Sequence, residues 1–352
     1  MMESTTGKIH VSEFEDFISG HCGFQRKEIV SGPKFGVDVS IAEIGEGKVL
    51  ASCSDPLSLI PSLGLEESAY LSVHLAVNDM ATMGFKPQFA QMVLNLSANL
   101  SQEDFKTYWK YIDGFAKEIE LGITGGHTGF IEGQNSTIAG GITLQSILDR
   151  EKYLVSDRAE EGDVLLITKT CAISSAAILA LSFPETVIHK VGRESYLKAS
   201  EDFWKISSLK DALVAVGNDL HRIGISAMHD VTEGGVLGAV YEMAIASGNG
   251  VLIEAKNIPL ENAQTEVCKV FNLDSRYCIG AGSMLISCKK NVVSEVKKRL
   301  QESKIEVHEI GVFQEKDFGL KIIEKGEIQN LPYFEKDPYW KAFFTALKNG
   351  WK

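Results

Sequence analysis

The sequence predicts a two-domain protein of mixed α/β class, with strands and helices in both halves of the chain. Three observations support this prediction. The 352 residues are more than one core usually holds, which favours two domains. The first half shows, in order, the patterns of strand, strand, helix, strand, helix, strand and strand. A charged stretch at 149–163 then precedes a second run of apolar strands and amphipathic helices, and it is the expected domain boundary.

Composition is typical of globular proteins and excludes several function classes. Hydrophobic residues make up 44% and charged residues 23% of the chain. The net charge of −12 argues against a nucleic-acid partner, because phosphate backbones are bound by clustered Lys and Arg. A small phosphate ligand is compatible with this negative charge, since backbone N–H groups and Mg²⁺ can hold it. No membrane-length apolar run or N-terminal signal pattern is seen, so we expect no membrane partner and a cytoplasmic location.

The six cysteines show no metal or disulfide pattern. None forms a C-x-x-C pair or stands at zinc-ligand spacing from a histidine. We expect buried or inert thiols in a reducing compartment. The six are Cys22, Cys53, Cys171, Cys268, Cys278 and Cys288.

Two acidic segments open the first half. Residues 31–41 combine two glycines, a proline and Asp38 before an apolar strand, which makes them a weak phosphate-loop candidate or an ordinary turn. Residues 48–54 predict a strand that ends at Asp55 and Pro56. Because a residue before proline is held extended, the Asp55 carboxylate would be free at this strand end.

The stretch 66–87 is the strongest pattern of the first half. Small and apolar residues recur through it at helical spacing, and Gly84 and Pro87 end the helix. Asn78 and Asp79 stand near that end. Polar groups beside a buried apolar surface are costly unless they are hydrogen-bonded or bound to a cation. Asp79 therefore belongs either to a cation site or to the cap of a neighbouring loop.

A strand, a helix and another strand follow this segment. Residues 88–96 predict the first strand, and 137–147 predict a glycine-containing one. Between them, 101–121 predicts a helix with a capping-box-like start at Ser101 and Asp104 and an apolar face. We assign this helix a packing role only.

The segment ITGGHTG at 123–129 places two glycines between an apolar strand and a turn. Glycines there would let a ligand approach the backbone closely. His127 would then contact a ligand or carry a proton, or it would be an ordinary structural histidine.

The second half begins with a buried strand at 164–168, followed by Lys169 and a Ser/Ala-rich helix. Lys169 could supply a positive charge to a site or be a solvated lysine. Amphipathic helices are predicted at 207–223 and 292–300. The remaining predicted elements are strands at 251–254, 284–288 and within 305–323, a glycine-rich turn at 280–283 and an aromatic-rich helix at 334–348.

The segment 226–248 carries the second strong signal. A short strand is expected to end at Met228, which leaves a polar turn before a helix that ends at Gly248. The turn holds His229, Asp230, Thr232, Glu233, Gly234 and Gly235. A helix N-terminus with adjacent glycines is a favourable place for an anion. A structural N-cap needs only one such polar side chain, so the surplus favours a functional role.

Five motifs, in this order, resemble those of the AIR synthetase (PurM-like) superfamily over about residues 7–325. They are Gly36-Val37-Asp38, Ser54-Asp55-Pro56, NDMATMG at 78–84, GGHT at 125–128 and HDVTEGG at 229–235. The last two are most similar to the HypE-like, AIR synthase-related branch.

The resemblance implies a PurM-like two-domain fold. Residues 31–155 would form an α/β ATP-binding and dimerisation domain whose sheet pairs with a second subunit in a homodimer. Residues 156–325 would form a C-terminal α+β sandwich with a four-stranded sheet. Residues 1–30 would be an N-terminal extension and 326–352 a C-terminal helix.

The resemblance also implies ATP and Mg²⁺ between the domains. The shared chemistry is transfer of the ATP γ-phosphoryl group to activate a substrate, here an unidentified amide-type molecule or small metabolite, free or protein-bound. The implied metal ligands are Asp38, Asp55 and Asp79. The implied catalytic residues are Asp79, Asp230 and His127. The implied cofactor-binding residues are Gly36, Asp38, Asn78, Gly125, Gly126, Thr128, Thr232, Glu233, Gly234 and Gly235.

Several departures from the superfamily pattern keep a second hypothesis open. Val37 and His127 stand where related chains often carry acids, so the carboxylate set is smaller. The last cysteine is Cys288, whereas HypE has a reactive cysteine at its C-terminus, so that self-modification is not expected. An early cysteine in a glycine-rich turn, as in selenophosphate synthetase, is also missing. The alternative function is a catalytically reduced, nucleotide-binding maturation or regulatory protein, and a purely structural dimer is the third.

Overall fold

The computed structural model describes residues 7–9, 11–217, 224–334 and 336–352. Within these residues the strands form one sheet of six and one of seven. The first sheet ends at Asp149 and the second begins at Val164, on either side of the charged stretch. No described helix has the length and apolar character that a membrane crossing needs.

The six-stranded sheet forms the N-terminal layer, in the order β1-β2-β3-β6-β4-β5. Its strands are β1 (Ile29–Ser31), β2 (Ser40–Gly45), β3 (Lys48–Ser58), β4 (Phe89–Ser97), β5 (Gly122–Ile131) and β6 (Ile138–Asp149). A short helix, α1 (Val11–Glu13), precedes them and continues as a wider helical turn over Phe14–Ser19. Helices α2 (Leu65–Ala81) and α3 (Gln102–Glu118) lie against one another, and α2 packs on β3 and β6.

Alternating burial along β3 defines which face of the sheet the helices cover. Val49, Ala51, Cys53 and Leu57 are buried, and the Cys53 thiol donates to the Ala76 carbonyl of α2 at 3.4 Å. α3 forms as predicted, since the Ser101 hydroxyl accepts from the Asp104 N–H at 3.0 Å. The opposite face of the sheet exposes apolar side chains.

Asp55 lies inside β3 rather than at its end, which corrects the expected strand end. β2 pairs with β3 only as far as Ser52, whereas β6 pairs with β3 up to Ser58. Beyond Ser52 one edge of β3 therefore has no partner strand in this sheet. The missing N–H of Pro56 can be tolerated on such an edge, so the proline does not end the strand.

Residues 123–129 lie within the edge strand β5 and not at a turn, which corrects a second expectation. A Cβ atom on Gly126 would lie 1.7 Å from the Met92 carbonyl oxygen, and one on Gly140 would lie 1.8 Å from that of Val93. These glycines let β5 and β6 approach the two sides of β4 closely. The glycine pattern therefore has a packing cause within the sheet.

The seven-stranded sheet forms the C-terminal domain, in the order β13-β12-β9-β11-β7-β10-β8. The expected C-terminal sheet of four strands is thus too small. Its strands are β7 (Val164–Thr168), β8 (Ile225–Asp230), β9 (Gly250–Glu254), β10 (Met284–Cys288), β11 (Val307–Gln314), β12 (Leu320–Glu324) and β13 (Glu327–Asn330). The predicted strand end at Met228 is also too early, because β8 still pairs with β10 at Asp230.

Helices surround this second sheet. They are α4 (Ile173–Ser182), α5 (Pro184–Glu201), α6 (Leu209–Val216), α7 (Gly235–Ser247), α8 (Asn262–Val270), α9 (Val293–Glu302) and α10 (Pro338–Lys348). The sequence did not predict α5, α8, β1 or β13. The predicted helix at 207–223 corresponds to α6, and its part at 218–223 lies outside the described residues. α10 buries Tyr339, Phe343 and Ala346 in the core of this domain.

The cysteine expectation holds for burial at five positions. Cys22 is exposed, and the other five cysteines are buried. Burial raises the pKa of the Cys53 and Cys171 thiols, which disfavours the reactive thiolate.

Candidate functional site

An acidic cluster lies where the two domains meet, and we use this name for five carboxylates. Asp38 precedes β2, Asp55 lies in β3 and Asp79 lies in the last turn of α2. From the C-terminal domain, Asp230 ends β8 and Glu242 lies in α7. The side-chain ligand atoms of Asp38, His229 and Asp230 lie within 4.8 Å of one another. Asp55 and Asp79 belong to the same cluster, since the charges of Asp230, Asp55 and Asp38 all act on the Asp79 carboxylate.

Local packing explains why Asp38 reaches the other domain. Gly36 has φ +72°, and a Cβ atom there would lie 2.4 Å from the Glu242 carbonyl oxygen. The loop before β2 can therefore touch the α7 backbone, which a side chain would prevent. The structure supports a close-approach role for Gly36, while its predicted contact with a cofactor stays a prediction.

His229 connects two of the carboxylates. Its Nδ1 lies 2.7 Å from Asp38 Oδ2, and its Nε2 lies 3.2 Å from Glu242 Oε2. Burial alone would lower the pKa of His229, but the charges and hydrogen bonds of Asp38 and Glu242 outweigh burial and raise it to about 10. In the metal-free protein the ring is thus an imidazolium that donates to both carboxylates and orients Asp38.

The remaining aspartates are energetically costly in their ionised form. Burial, together with the charge of Asp38, raises the pKa of Asp230 to about 7. Burial raises the pKa of Asp55 to about 6, and burial with the charge of Asp230 raises that of Asp79 well above its usual value. Within the described residues, Asp230 Oδ2 is buried and has no hydrogen-bond partner.

This donor set fits a divalent cation. Carboxylate oxygens are the ligands that Mg²⁺ prefers, and the ion often bridges protein carboxylates and phosphate oxygens. A bound cation would favour the ionised carboxylates and could engage the unpartnered Asp230 oxygen. Asp38, Asp55, Asp79 and Asp230 are the residues that could hold it.

Lys8 and Glu242 belong to this site, although neither was predicted from the sequence. The Lys8 ammonium group donates to Thr232 Oγ1 at 2.9 Å and lies 3.5 Å from Glu242 Oε2. Burial alone would raise the pKa of Glu242, but the charge of Lys8 and the hydrogen bond and charge of His229 outweigh burial and lower it. Glu242 could have been noticed in the sequence, because it is the one charged residue in the otherwise uncharged helix α7. Lys8 stands in a polar segment without any pattern.

The α7 turn contacts both ends of the chain. Glu233 Oε2 accepts from the Lys8 backbone N–H at 2.8 Å, and Glu233 Oε1 accepts from the Trp340 indole N–H at 3.1 Å. The Gly234 N–H donates to Asp337 Oδ2 at 2.6 Å. The predicted anion site at this helix N-terminus thus already has a carboxylate on one of its N–H groups. Cofactor contacts of Thr232, Glu233, Gly234 and Gly235 stay predictions.

Asn78 and Lys169 both bind the loop at 204–208 of the C-terminal domain, which lies against α2. The Asn78 side chain donates to the Ile206 carbonyl at 2.9 Å and accepts from the Ser208 N–H at 2.8 Å. The Lys169 ammonium group donates to the carbonyls of Lys205, Ser207 and Gly282. Lys169 is therefore a structural residue, neither solvated nor directed at the acidic cluster. The polar groups of the Asn78 side chain are already paired in this structure.

The structure does not bring the GGHT segment to the acidic cluster within one chain. His127 is exposed on β5 and pairs in register with Val93 of β4. β4 and β6 separate β5 from β3, so about 14 Å lies between His127 and the β3 strand at the usual strand spacing. Roles for Gly125, Gly126, His127 and Thr128 in catalysis or cofactor binding stay predictions.

Family comparisons agree with the two-domain architecture. The family described as AIR synthase related protein, N-terminal domain, matches residues 36–144. The corresponding C-terminal domain family matches residues 160–323. Together these matches cover well over half of the chain.

Solved structures share the whole fold at low sequence identity. AaThiL complexed with AMPPCP and TMP has a TM-score of 0.71 at 18% identity, covering 95% of this chain and 99% of that one. Hydrogenase maturation protein HypE in complex with ATP has a TM-score of 0.66 at 17% identity, covering 94% of each chain. The predicted PurM-like two-domain fold is confirmed.

Curated relatives support the HypE-like branch. A putative hydrogenase expression/formation protein of Methanocaldococcus jannaschii is 27% identical over 232 residues, 66% of this chain and 65% of the relative. Carbamoyl dehydratase HypE of Escherichia coli is 23% identical over 227 residues, 64% of this chain and 63% of the relative. The chain thus spans slightly under two thirds of the length of these relatives. On the two domain matches and these similarities, the chain belongs to the AIR synthase-related protein family.

Proposed function

We propose that this chain is an ATP- and Mg²⁺-dependent enzyme that transfers the ATP γ-phosphoryl group to activate an unidentified substrate. The substrate would be an amide-type molecule or another small metabolite, free or protein-bound. The observation that carries this proposal is the convergence of Asp38, Asp55, Asp79 and Asp230 from both domains. Similarity to a carbamoyl dehydratase and to chains solved with ATP or AMPPCP supports it.

Each residue has a role that follows from its surroundings. Asp38, Asp55 and Asp79 would hold Mg²⁺, which neutralises phosphate charge when bound. His229 orients Asp38 through their 2.7 Å contact. Asp230, with its buried unpartnered oxygen, would orient a substrate group or water. Phosphoryl transfer needs mainly such positioning and charge neutralisation.

The proposal includes a homodimer in the cytoplasm, without nucleic-acid or membrane partners. The net charge of −12 supports the exclusion of nucleic acid. The exposed apolar face of the N-terminal sheet supports pairing with a second copy.

The second candidate is a catalytically reduced, nucleotide-binding maturation or regulatory protein. The observation that favours it is the position of His127, which replaces an expected acid and lies on an exposed strand away from the acidic cluster. Val37 also stands next to Asp38 at a position where related chains often carry a second acid. In this case the chain would bind nucleotide without turnover.

Calorimetric titration with a non-hydrolysable ATP analogue tests the proposal. We expect saturable binding that depends on Mg²⁺ and that weakens about tenfold or more in Asp79→Ala, because a metal ligand is lost. Glu118→Ala, an exposed carboxylate on α3, is the matched control and should bind normally. Circular dichroism checks that both variants are folded.

Absence of binding with and without Mg²⁺ would refute the proposed function. Normal Mg²⁺-dependent binding by Asp79→Ala would remove Asp79 from the site. Binding without hydrolysis across a panel of amides, amines and phosphorylated metabolites would favour the regulatory alternative.

A further inference from the structure

We propose that the two ends of the chain form a clamp on the α7 turn, and that this clamp fixes the Lys8 ammonium group over the acidic cluster as a phosphate-binding cation. Lys8 would contact the nucleotide phosphates, whereas Glu233 and Trp340 would be positioning residues that act through Lys8. The inference rests on the proposed function, since it names further residues of the same site.

Lys8 reaches the site from its solvent side. Its ammonium group donates to Thr232 Oγ1 and lies 3.5 Å from Glu242 Oε2, yet the side chain stays 51% exposed. The charges of Glu242, Asp230, Asp38 and Asp79 all act on it. A cation that is attracted by the cluster but still open to solvent can also meet the phosphates of an incoming nucleotide.

Glu233 holds the two chain ends together. One of its carboxylate oxygens accepts from the Lys8 backbone N–H, and the other accepts from the Trp340 indole N–H. Gly7 has φ +103°, and a Cβ atom there would lie 2.8 Å from Glu233 Oε2 and 3.5 Å from Trp340 Cδ1. The glycine therefore lets the N-terminal backbone pass close to both side chains.

Asp337 fixes the other end of the clamp. Its Oδ2 accepts from the Gly234 N–H at 2.6 Å, and its Oδ1 accepts from the Tyr339 N–H at 2.8 Å. The same carboxylate thus caps α10 and ties it to the α7 turn. Trp340 follows directly and is held facing Glu233.

The two chain segments that the clamp adds to the α7 turn lie outside the parts of the chain that match the family. Lys8, Asp337 and Trp340 fall beyond the matched ranges 36–144 and 160–323, whereas Glu233 lies inside them. The N-terminal segment and α10 thus add a cation to a site whose carboxylates come from the shared domains. This gives α10 a role that packing alone does not explain.

A double-mutant cycle on nucleotide binding tests the clamp, with the Mg²⁺ complex of a non-hydrolysable ATP analogue as the probe. Lys8→Met should weaken binding about tenfold or more, because a charge-assisted contact is lost. Trp340→Phe keeps an aromatic side chain but replaces the indole and loses its N–H donor, and it should weaken binding about threefold or more. The double variant should bind no more weakly than Lys8→Met, since Trp340 acts through Lys8. Lys8→Arg should restore most of the affinity.

Lys27→Met, which removes an exposed lysine of the same N-terminal segment, is the matched control and should bind normally. Thermal unfolding verifies that each variant is folded. Unchanged or tighter binding by Lys8→Met, with normal binding by the unmodified protein, would refute this inference alone. Fully additive losses in the double variant would refute the positioning role. Absence of binding by the unmodified protein would refute the proposed function and this inference with it.

Discussion

At the scale of one residue, the ionised form of Asp230 is energetically unfavourable in the metal-free site. It is buried, lies close to Asp38, and has one oxygen without a hydrogen-bond partner among the described residues. Such a group destabilises the metal-free protein when it is ionised. Strong perturbation of this kind, combined with a cluster of ligand atoms, is typical of functional sites.

The stability of the metal-free protein should therefore fall with pH on account of Asp230. Its pKa in the folded protein is about 7, above the usual value near 4 in an unfolded chain. The folded state thus binds the proton more tightly, and its stability falls as pH rises from about 4 to about 7. Asp230→Asn removes this dependence. Above pH 7 the variant should gain roughly 1 to 4 kcal/mol over the wild type, relative to their difference at pH 4.

Urea unfolding of both proteins at several pH values between 4 and 8, with a chelator present, measures this difference. The comparison cancels titrating groups that do not interact with Asp230, whereas the pKa of Asp79, which the charge of Asp230 raises, changes together with the substitution. A free-energy difference that does not change with pH would show that Asp230 ionises normally.

The site residues that could be predicted from the sequence are those that lie in the ordered acidic motifs. Asp38, Asp79 and Asp230 lie in recognisable acidic segments, and the structure brings them together. Lys8 could not be found in this way, because its contact with Thr232 spans 224 residues of sequence and its own segment has no pattern. His229 was noticed, but its role as a donor to two carboxylates depends on Glu242, which packing alone brings near.

At the scale of elements, the loop at 204–208 of the C-terminal domain is hydrogen-bonded by side chains of both domains. Tyr70 and Asn78 of α2 bind its backbone from the N-terminal domain, and Lys169 binds it from the C-terminal domain. A loop with its carbonyls and N–H groups paired on both sides fixes the orientation of α2. It thereby also fixes Asp79, one residue beyond Asn78, against Asp230.

Asn78→Ala should loosen this connection. It leaves the Ile206 carbonyl and the Ser208 N–H without the Asn78 side chain in a buried region. We expect a loss of about 2 to 4 kcal/mol in the free energy of unfolding, because unpaired buried polar groups are costly. Asn99→Ala, in an exposed turn, is the control and should change stability by less than about 0.5 kcal/mol.

Denaturant unfolding with a chelator present measures both variants. Equal stability of Asn78→Ala and Asn99→Ala would show that the amide of Asn78 is dispensable for domain docking. The remaining role of Asn78 would then be nucleotide binding, as the sequence resemblance predicts.

Helices and strands with a strong cap or hydrophobic pattern could be predicted from the sequence, and the others could not. α3 has both a cap and an apolar stripe, and β7 is a short apolar run, so both were predicted close to their observed bounds. α5 is largely polar and buries only Val187 and Ala199, so its sequence carries a weak signal. α8 is only nine residues long, although it buries Ala263, Gln264, Val267 and Cys268 at helical spacing. In β5, glycines that allow close strand approach gave the pattern of a turn.

At the scale of the whole molecule, the N-terminal sheet has one face that no helix of the described residues covers. Its helices cover the face that carries Leu57 and Cys53. On the other face, strands β4, β5 and β6 expose large apolar side chains, which include Phe89, Val93, Ile131 and Ile147, whereas Phe130 packs against Phe105 of α3. Apolar surface concentrated on one sheet usually marks an interaction site, in agreement with the proposed homodimer. His127 shares this region of the sheet, so its role depends on what covers it.

Charges placed on this face should therefore separate the proposed dimer. Val93 and Ile147 are 43% and 44% exposed, and their replacement in Val93→Lys/Ile147→Lys puts like charges in an interface that would otherwise bury apolar surface. Light scattering should give twice the 38.5 kDa chain mass for the wild type and a single chain mass for the variant. Ile245→Lys, at an equally exposed apolar residue on α7 (40%), should stay dimeric because it lies on the other domain. A wild-type protein of single chain mass, or a double variant that stays dimeric, would contradict pairing through this face.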